Sequence, residues 1–152
     1  MVVSVYTDAS FNHKKDISSC GFIILVNRKI IKHQVLLVKN LKTPHGAELY
    51  SIYEALCNSY LVKGVSCINV YCDCIKALDI CNQSNEERIK WDYNKTKKYT
   101  ILISDFNNLM DLLKEEKIIT RFYKVRAHAN NFFNNMVDRS CLNNLREYIN
   151  SL

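Results

Sequence analysis

The chain has 152 residues, enough for one globular domain that buries roughly 70% of its unfolded surface and too few for a second. Its 21 Lys and Arg outnumber 15 Asp and Glu, and the formal net charge of +6 with a pI of about 8.9 favours a polyanion or an anionic membrane surface as partner. No apolar run approaches the ~18 residues of a membrane span, and strand-like residues begin at Val2, so the expectation is a soluble, cytoplasmic monomer.

Residues 2 to 8 read as a strand that is apolar on both faces and therefore central in its sheet. Residues 20 to 27 and 30 to 38 are two further β-rich runs joined by the short polar link Asn27-Arg28-Lys29, which predicts three antiparallel strands. From Ala47 to about Leu61, Leu49, Ile52, Tyr53, Leu56 and Tyr60 recur at helical spacing and Gly64 marks the stop, with Glu48 in the first turn. A fourth strand covers 67 to 72, and a short helix runs from about Ile75 to Cys81. The polar stretch Asn82 to Asn94 has no clear period. Ile101, Phe106, Leu109, Met110 and Leu113 predict a long helix within 96 to 117, followed by a fifth strand over about 118 to 125. Val137, Cys141, Leu145 and Ile149, at steps of four, give a closing helix over about 134 to 149 an apolar stripe for docking on the sheet. The order βββαβαβα describes an α/β fold with a five-stranded mixed sheet in one domain. No internal repeat or linker interrupts it.

Seven cysteines, an odd number without an export signal, predict reduced thiols that are mostly small core residues. Cys72 and Cys74 flank Asp73, but no second pair at finger-like spacing follows, which argues against structural zinc.

Four acidic residues stand in apolar surroundings. Asp8 closes the run Val2-Val3-Ser4-Val5-Tyr6-Thr7, Asp73 closes Ile68-Asn69-Val70-Tyr71-Cys72, Glu48 opens a helix and Asp138 enters the last one. Singly, each has an ordinary explanation as a turn residue, helix cap or complement to the macrodipole. If the first and fourth strands are parallel neighbours, however, Asp8 and Asp73 converge at the strand ends, where α/β sheets bind ligands. Clustered carboxylates repel one another unless a cation compensates, and hard oxygen donors select Mg2+ or Mn2+. Two such ions suit phosphodiester hydrolysis.

The blocks Tyr6-Thr7-Asp8-Ala9-Ser10, Ala47-Glu48-Leu49, Val70-Tyr71-Cys72-Asp73 and His128 to Asp138 together resemble type 1 ribonuclease H, in order and across nearly the whole chain. That resemblance implies a ribonuclease H-like fold and an endonuclease that hydrolyses the RNA strand of RNA/DNA hybrids with two Mg2+ (or Mn2+) ions, leaving 5′-phosphate and 3′-hydroxyl ends. It implies that Asp8 bridges both ions, Asp138 holds the ion that activates water, and Glu48 with Asp73 holds the leaving-group ion. His128 would lie on a mobile loop and assist proton transfer or product release, with an exposed loop histidine as the alternative. Thr43 matches a residue that binds a DNA phosphate, Asn134 one at the hybrid, and Ser10 a turn beside the RNA strand.

The chain also departs from the pattern. Pro44 and His45 stand where relatives often carry an Asn or Gln pair, and Ile75 where bacterial relatives can have Gln; His45 either replaces one of these contacts or is an ordinary surface histidine. A basic protrusion that grips the DNA strand in some relatives corresponds to residues 84 to 100, with Trp91, Lys97 and Lys98 as candidate contacts. There Arg88, Lys90 and Lys95 are offset by Glu86, Glu87 and Asp92, so a solvated helix with Trp91 on the core is the competing reading. A DNA-directed nuclease or resolvase, or a non-catalytic nucleic-acid-binding module, remains open on the same fold.

Overall fold

The computed structural model describes residues 1–125 and 131–152. In chain order the elements are β1 (Val2–Asn12), β2 (Ile17–Val26), β3 (Lys29–Lys39), α1 (Pro44–Tyr60), β4 (Cys67–Cys72), α2 (Ile75–Cys81), α3 (Asn85–Asn94), α4 (Thr100–Glu115), β5 (Ile119–Lys124) and α5 (Phe132–Asn150). They form a five-stranded sheet ordered β3-β2-β1-β4-β5, antiparallel across β3-β2-β1 and parallel across β1-β4-β5. The βββαβαβα order is therefore present, with three helices between β4 and β5. None of the described helices is long and apolar enough to cross a membrane.

Strand alternation divides the apolar side chains between two faces. Val3, Val5, Phe22, Ile68 and Val70 pack on one face against Leu49, Ile52 and Leu56 of α1 and Ile103, Phe106 and Leu113 of α4. On the other, Ile23 and Leu25 meet Val137 and Cys141 of α5, so the step-of-four stripe docks as its spacing predicts. All seven cysteines are free, and five are buried.

Four expectations need correction. β1 does not stop at Asp8, because β2 continues to pair with it as far as Asn12↔Ile17; Ser10 consequently lies within the strand, opposite Ser19, rather than in a turn. What ends near Asp8 is the pairing with β4, whose last register pair is Tyr6↔Tyr71. α1 begins at Pro44, with Thr43 as N-cap accepting from the Gly46 amide at 3.0 Å, so Glu48 lies beyond the first turn and does not act as a first-turn acid. The segment without a clear period contains α3, opened by a capping box between Ser84 and Glu87. Its inward residues are Arg88 and Asp92, one helical repeat apart, which is why no apolar period shows. Buried Arg88 donates to Asn107 at 2.7 Å, to the Cys81 carbonyl at 3.2 Å, and to Gln83 and Asn85, and it lies 5.0 Å from the Phe106 ring centroid. A polar anchor thus takes the place of an apolar stripe.

Gly21 sets how closely α5 approaches the sheet. A Cβ there would lie 2.6 Å from Cys141 Sγ and 3.3 Å from a Val137 methyl. Gly21 also pairs with Asp8, and Cys141 Sγ lies 3.5 Å from the Asp8 carbonyl oxygen. Gly21→Ala should destabilise by about 1–3 kcal/mol through overpacking, and Cys141→Ala in the same chain should recover part of that loss. Urea midpoints of the single and double variants test this; strictly additive losses would rule out the contact as the cause.

Candidate active site

Asp8 is held by its backbone from both sides of the sheet. Ser51 of α1 donates to its carbonyl oxygen at 2.9 Å, and Cys141 of α5 approaches the same oxygen from the other face. The Asp8 side chain accepts from the Ala9 amide at 2.9 Å. The pairing with β4 ends at Tyr6↔Tyr71, and Asp73 directly follows the end of β4, so Asp8 and Asp73 lie where the parallel pair stops. Asp73 and Asp138 are half-buried, the latter in the second turn of α5. Glu48 is also half-buried as a residue, but its carboxyl is the desolvated part.

Asp8 interacts electrostatically with each of the other three carboxyl groups. Asp8 is raised from an ordinary 3.8 to about 7, first by burial, then by repulsion from Asp73 and hydrogen bonding with Asp138; the Ala9 amide and Glu48 oppose the rise. Burial raises Glu48 well above the usual carboxylate range, and the Asp8 charge adds to it. Glu48, Asp73 and the Cys72 thiol present potential ligand atoms within 4.8 Å of one another, and Cys72 Sγ lies 3.9 Å from Glu48 Oε2. Such crowding fits a divalent cation: its charge relieves the repulsion, and the donors are mostly hard oxygens. The Cys72 thiol itself is held protonated by burial and by Glu48.

The chain matches the RNase H family model over residues 1–145. It belongs to the RNase H family. A search of curated proteins found no match. Membership supports, in general terms, a nuclease acting on the RNA strand of RNA/DNA hybrids, in a family that generally uses divalent metals.

Around this RNase H site the remaining candidates separate. His128 lies outside the described residues. Asn134 is buried to 2% exposure, and its Oδ1 has no hydrogen-bond partner among the described residues, so it points inward near the start of α5. Thr43, His45, Trp91 and Lys98 line one cleft of about 360 Å³ together with Pro44, Lys76, Lys95 and Tyr99. Trp91 stacks on Tyr99 at 5.1 Å, packs against the core and lines this cleft, while Tyr99 hydrogen-bonds Thr43. His45 is exposed, and its pKa is lowered by partial burial and by the Lys76 and Lys95 charges. Lys97 leaves the group, with its Nζ over Tyr93 at 5.2 Å. Sequence reasoning missed Lys76, Tyr99 and Cys72 as site neighbours. Cys72 had a usable signal, being next to Asp73; Lys76 and Tyr99 had none.

Metal-free protein should lose stability as pH rises. The unfolded Asp8 carboxyl ionises near 4, whereas the folded one keeps its proton to about 7. Between those values the native state binds more protons, so stability falls with pH by at most a few kcal/mol. Denaturant unfolding in chelator at pH 5 and pH 8 should show this fall, and Asp8→Asn should flatten it. An unchanged slope in the variant would exclude Asp8 as its source.

Proposed function

We propose that this protein is a divalent-metal-dependent endonuclease that cuts the RNA strand of RNA/DNA hybrids, leaving 5′-phosphate and 3′-hydroxyl ends. The convergence of Asp8, Glu48, Asp73 and Asp138 in a chain of this family is the observation that carries the reading.

Asp8, Glu48, Asp73 and Asp138 are the residues that would hold the ions, two per site. When bound, such ions activate water on one side of a phosphodiester and stabilise the departing oxygen on the other. In this reading the protein's own part is placement: Asp8 on β1, Asp73 just after β4, Glu48 on α1 and Asp138 on α5 would together hold the ions, with the sheet limiting how far they relax apart. His128 is the proposed proton-transfer or product-release residue.

The cleft beside α1 supplies the substrate handle in this reading. Lys76, Lys95 and Lys98 offer point charges, and the Thr43 and Tyr99 hydroxyls offer hydrogen bonds, a set suited to a phosphate of the DNA strand. His45 adds a donor when protonated, and nearby lysines disfavour that state until an anion arrives.

Labelled RNA/DNA hybrid, duplex DNA and duplex RNA, each offered with Mg2+ or Mn2+, test the activity. Only the RNA strand of the hybrid should be cut, and Asp73→Asn should lower that rate by about 10²-fold or more. Equal cleavage of duplex DNA, or full activity in Asp73→Asn, would falsify the assignment. For the handle, Lys98→Ala should raise the Michaelis constant several-fold and flatten its salt dependence. Lys97→Ala should do less, because Lys97 lies outside the cleft; equal effects from both lysines would remove the cleft's claim to the phosphate.

A further inference from the structure

The sheet carries a second surface whose aromatic row runs up to Asp8 and Asp73. On the face covered by α5, the register aligns Tyr6, Tyr71 and Tyr123 across β1, β4 and β5, with Ser4, Asn69 and Arg121 in the next row. The tyrosine rings form a continuous stack: Tyr6 to Tyr71 at 4.9 Å and 15°, Tyr71 to Tyr123 at 5.3 Å and 23°. Phe133 of α5 closes the inner end at 5.5 Å from Tyr6. Helix α5 packs over β1, β2 and β3, while the described helices that touch β4 and β5 pack with the core face on which Ile68, Val70 and Phe122 lie. The α5-side face of β4 and β5 therefore has no helix over it among the described residues.

β5 is the edge strand, so the stack ends on Tyr123, whose outer ring face has no ring contact among the described residues; Tyr123 is 41% exposed. Arg121, exposed and two residues away on the same face, lies roughly 7 Å along the strand. β4 and β5 contain no carboxylate, and β1 has none before Asp8. The surface thus joins an open aromatic face to a cationic side chain with no carboxylate on its own or the neighbouring strand, and its aromatic row begins two residues before Asp8 and Asp73.

The geometry points to a stacking platform for single-stranded nucleic acid: an unpaired extension of the bound hybrid continues the Tyr6–Tyr71–Tyr123 stack with a base on Tyr123 and a phosphate at Arg121. Base–aromatic stacking accepts any base, because each presents a π-face, and cationic side chains track the backbone. The inference rests on the nuclease reading, which brings a hybrid to the adjacent carboxylates, but binding measured without metal tests it separately from cleavage.

Fluorescence anisotropy in chelator would compare blunt hybrid with hybrids carrying short single-stranded RNA tails at either end. A tail at one end should tighten binding on the order of tenfold. Tyr123→Ala should remove that gain while leaving blunt-hybrid binding unchanged, Tyr123→Phe should keep it, and Arg121→Ala should reduce its salt dependence. A tail that adds nothing at either end, or a gain that survives Tyr123→Ala in a folded variant, overturns the platform and leaves the face to a protein partner or a second copy. Cleavage without a tail effect would sink this inference alone. A Tyr123-dependent tail effect without metal-dependent cleavage would sink the nuclease reading instead.

Discussion

The burial and crowding of carboxyl groups around Asp8 is the constraint around which the rest of the fold is arranged. Asp8 and Asp73 stand where β1 and β4 stop pairing, and Glu48 and Asp138 arrive from helices on opposite faces of the sheet. Free to move, these groups would separate into water, and Asp8 and Glu48 would recover ordinary ionisation. They cannot separate because β1 continues beyond Asp8 in register with β2, and its carbonyl is held by Ser51 and approached by Cys141. The cost appears as the upward shifts of Asp8 and Glu48, and packed apolar cores on both faces offset it. A divalent cation held by these carboxyls, as proposed, would convert this cost into binding energy.

Close approach of the helices depends on small side chains. Gly21 leaves room for Cys141, fully buried Ala47 lies beside Glu48 in α1, and Cys20 Sγ comes to 3.5 Å from the Ala47 carbonyl. Thiols suit these positions because they fill space as small hydrophobes and still make weak hydrogen bonds to carbonyls. Burial holds the Cys20, Cys72 and Cys141 thiols well above their ordinary pKa, so they add little negative charge to a site already crowded with it.

Elements carried by an apolar period were legible in the sequence: the strands around Val3 and Val70, the helix bearing Leu49, Ile52 and Leu56, and the Val137–Cys141–Leu145 stripe. The carboxylates were legible for a different reason, since an acid within an apolar run is conspicuous whatever the fold. α3 was not, because Arg88 and Asp92 occupy the inward positions where a periodicity argument looks for leucine or isoleucine. Nor was the cleft membership of Lys76 and Tyr99. Lys76 enters it from α2 and Tyr99 from the start of α4, and only the turn between α3 and α4 brings Tyr99 to Thr43. Asp92 fixes that turn by accepting from the Tyr99 amide at 2.7 Å and the Thr100 hydroxyl at 3.0 Å, a tertiary fact without a local signature. Local order failed where polar residues took over the work of packing.

The proposed phosphate cleft and the proposed tyrosine platform differ in chemistry, and if both hold nucleic acid the difference gives the site a direction. The cleft at Thr43 and Lys98 combines point charges with hydroxyls, which recognise a phosphate wherever it occurs and weaken as salt rises. The tyrosine row offers ring faces, which require an exposed base and are largely indifferent to salt. A duplex presents phosphates everywhere but buries its base faces, so it can satisfy the cleft without engaging the row. In the proposed complex a strand that leaves its duplex would satisfy both, with its paired part at the cleft and its unpaired part at the tyrosine row. The order of the strands in the sheet, with β5 at the edge beyond β4, would in this way determine which end of a hybrid lies over the carboxylates.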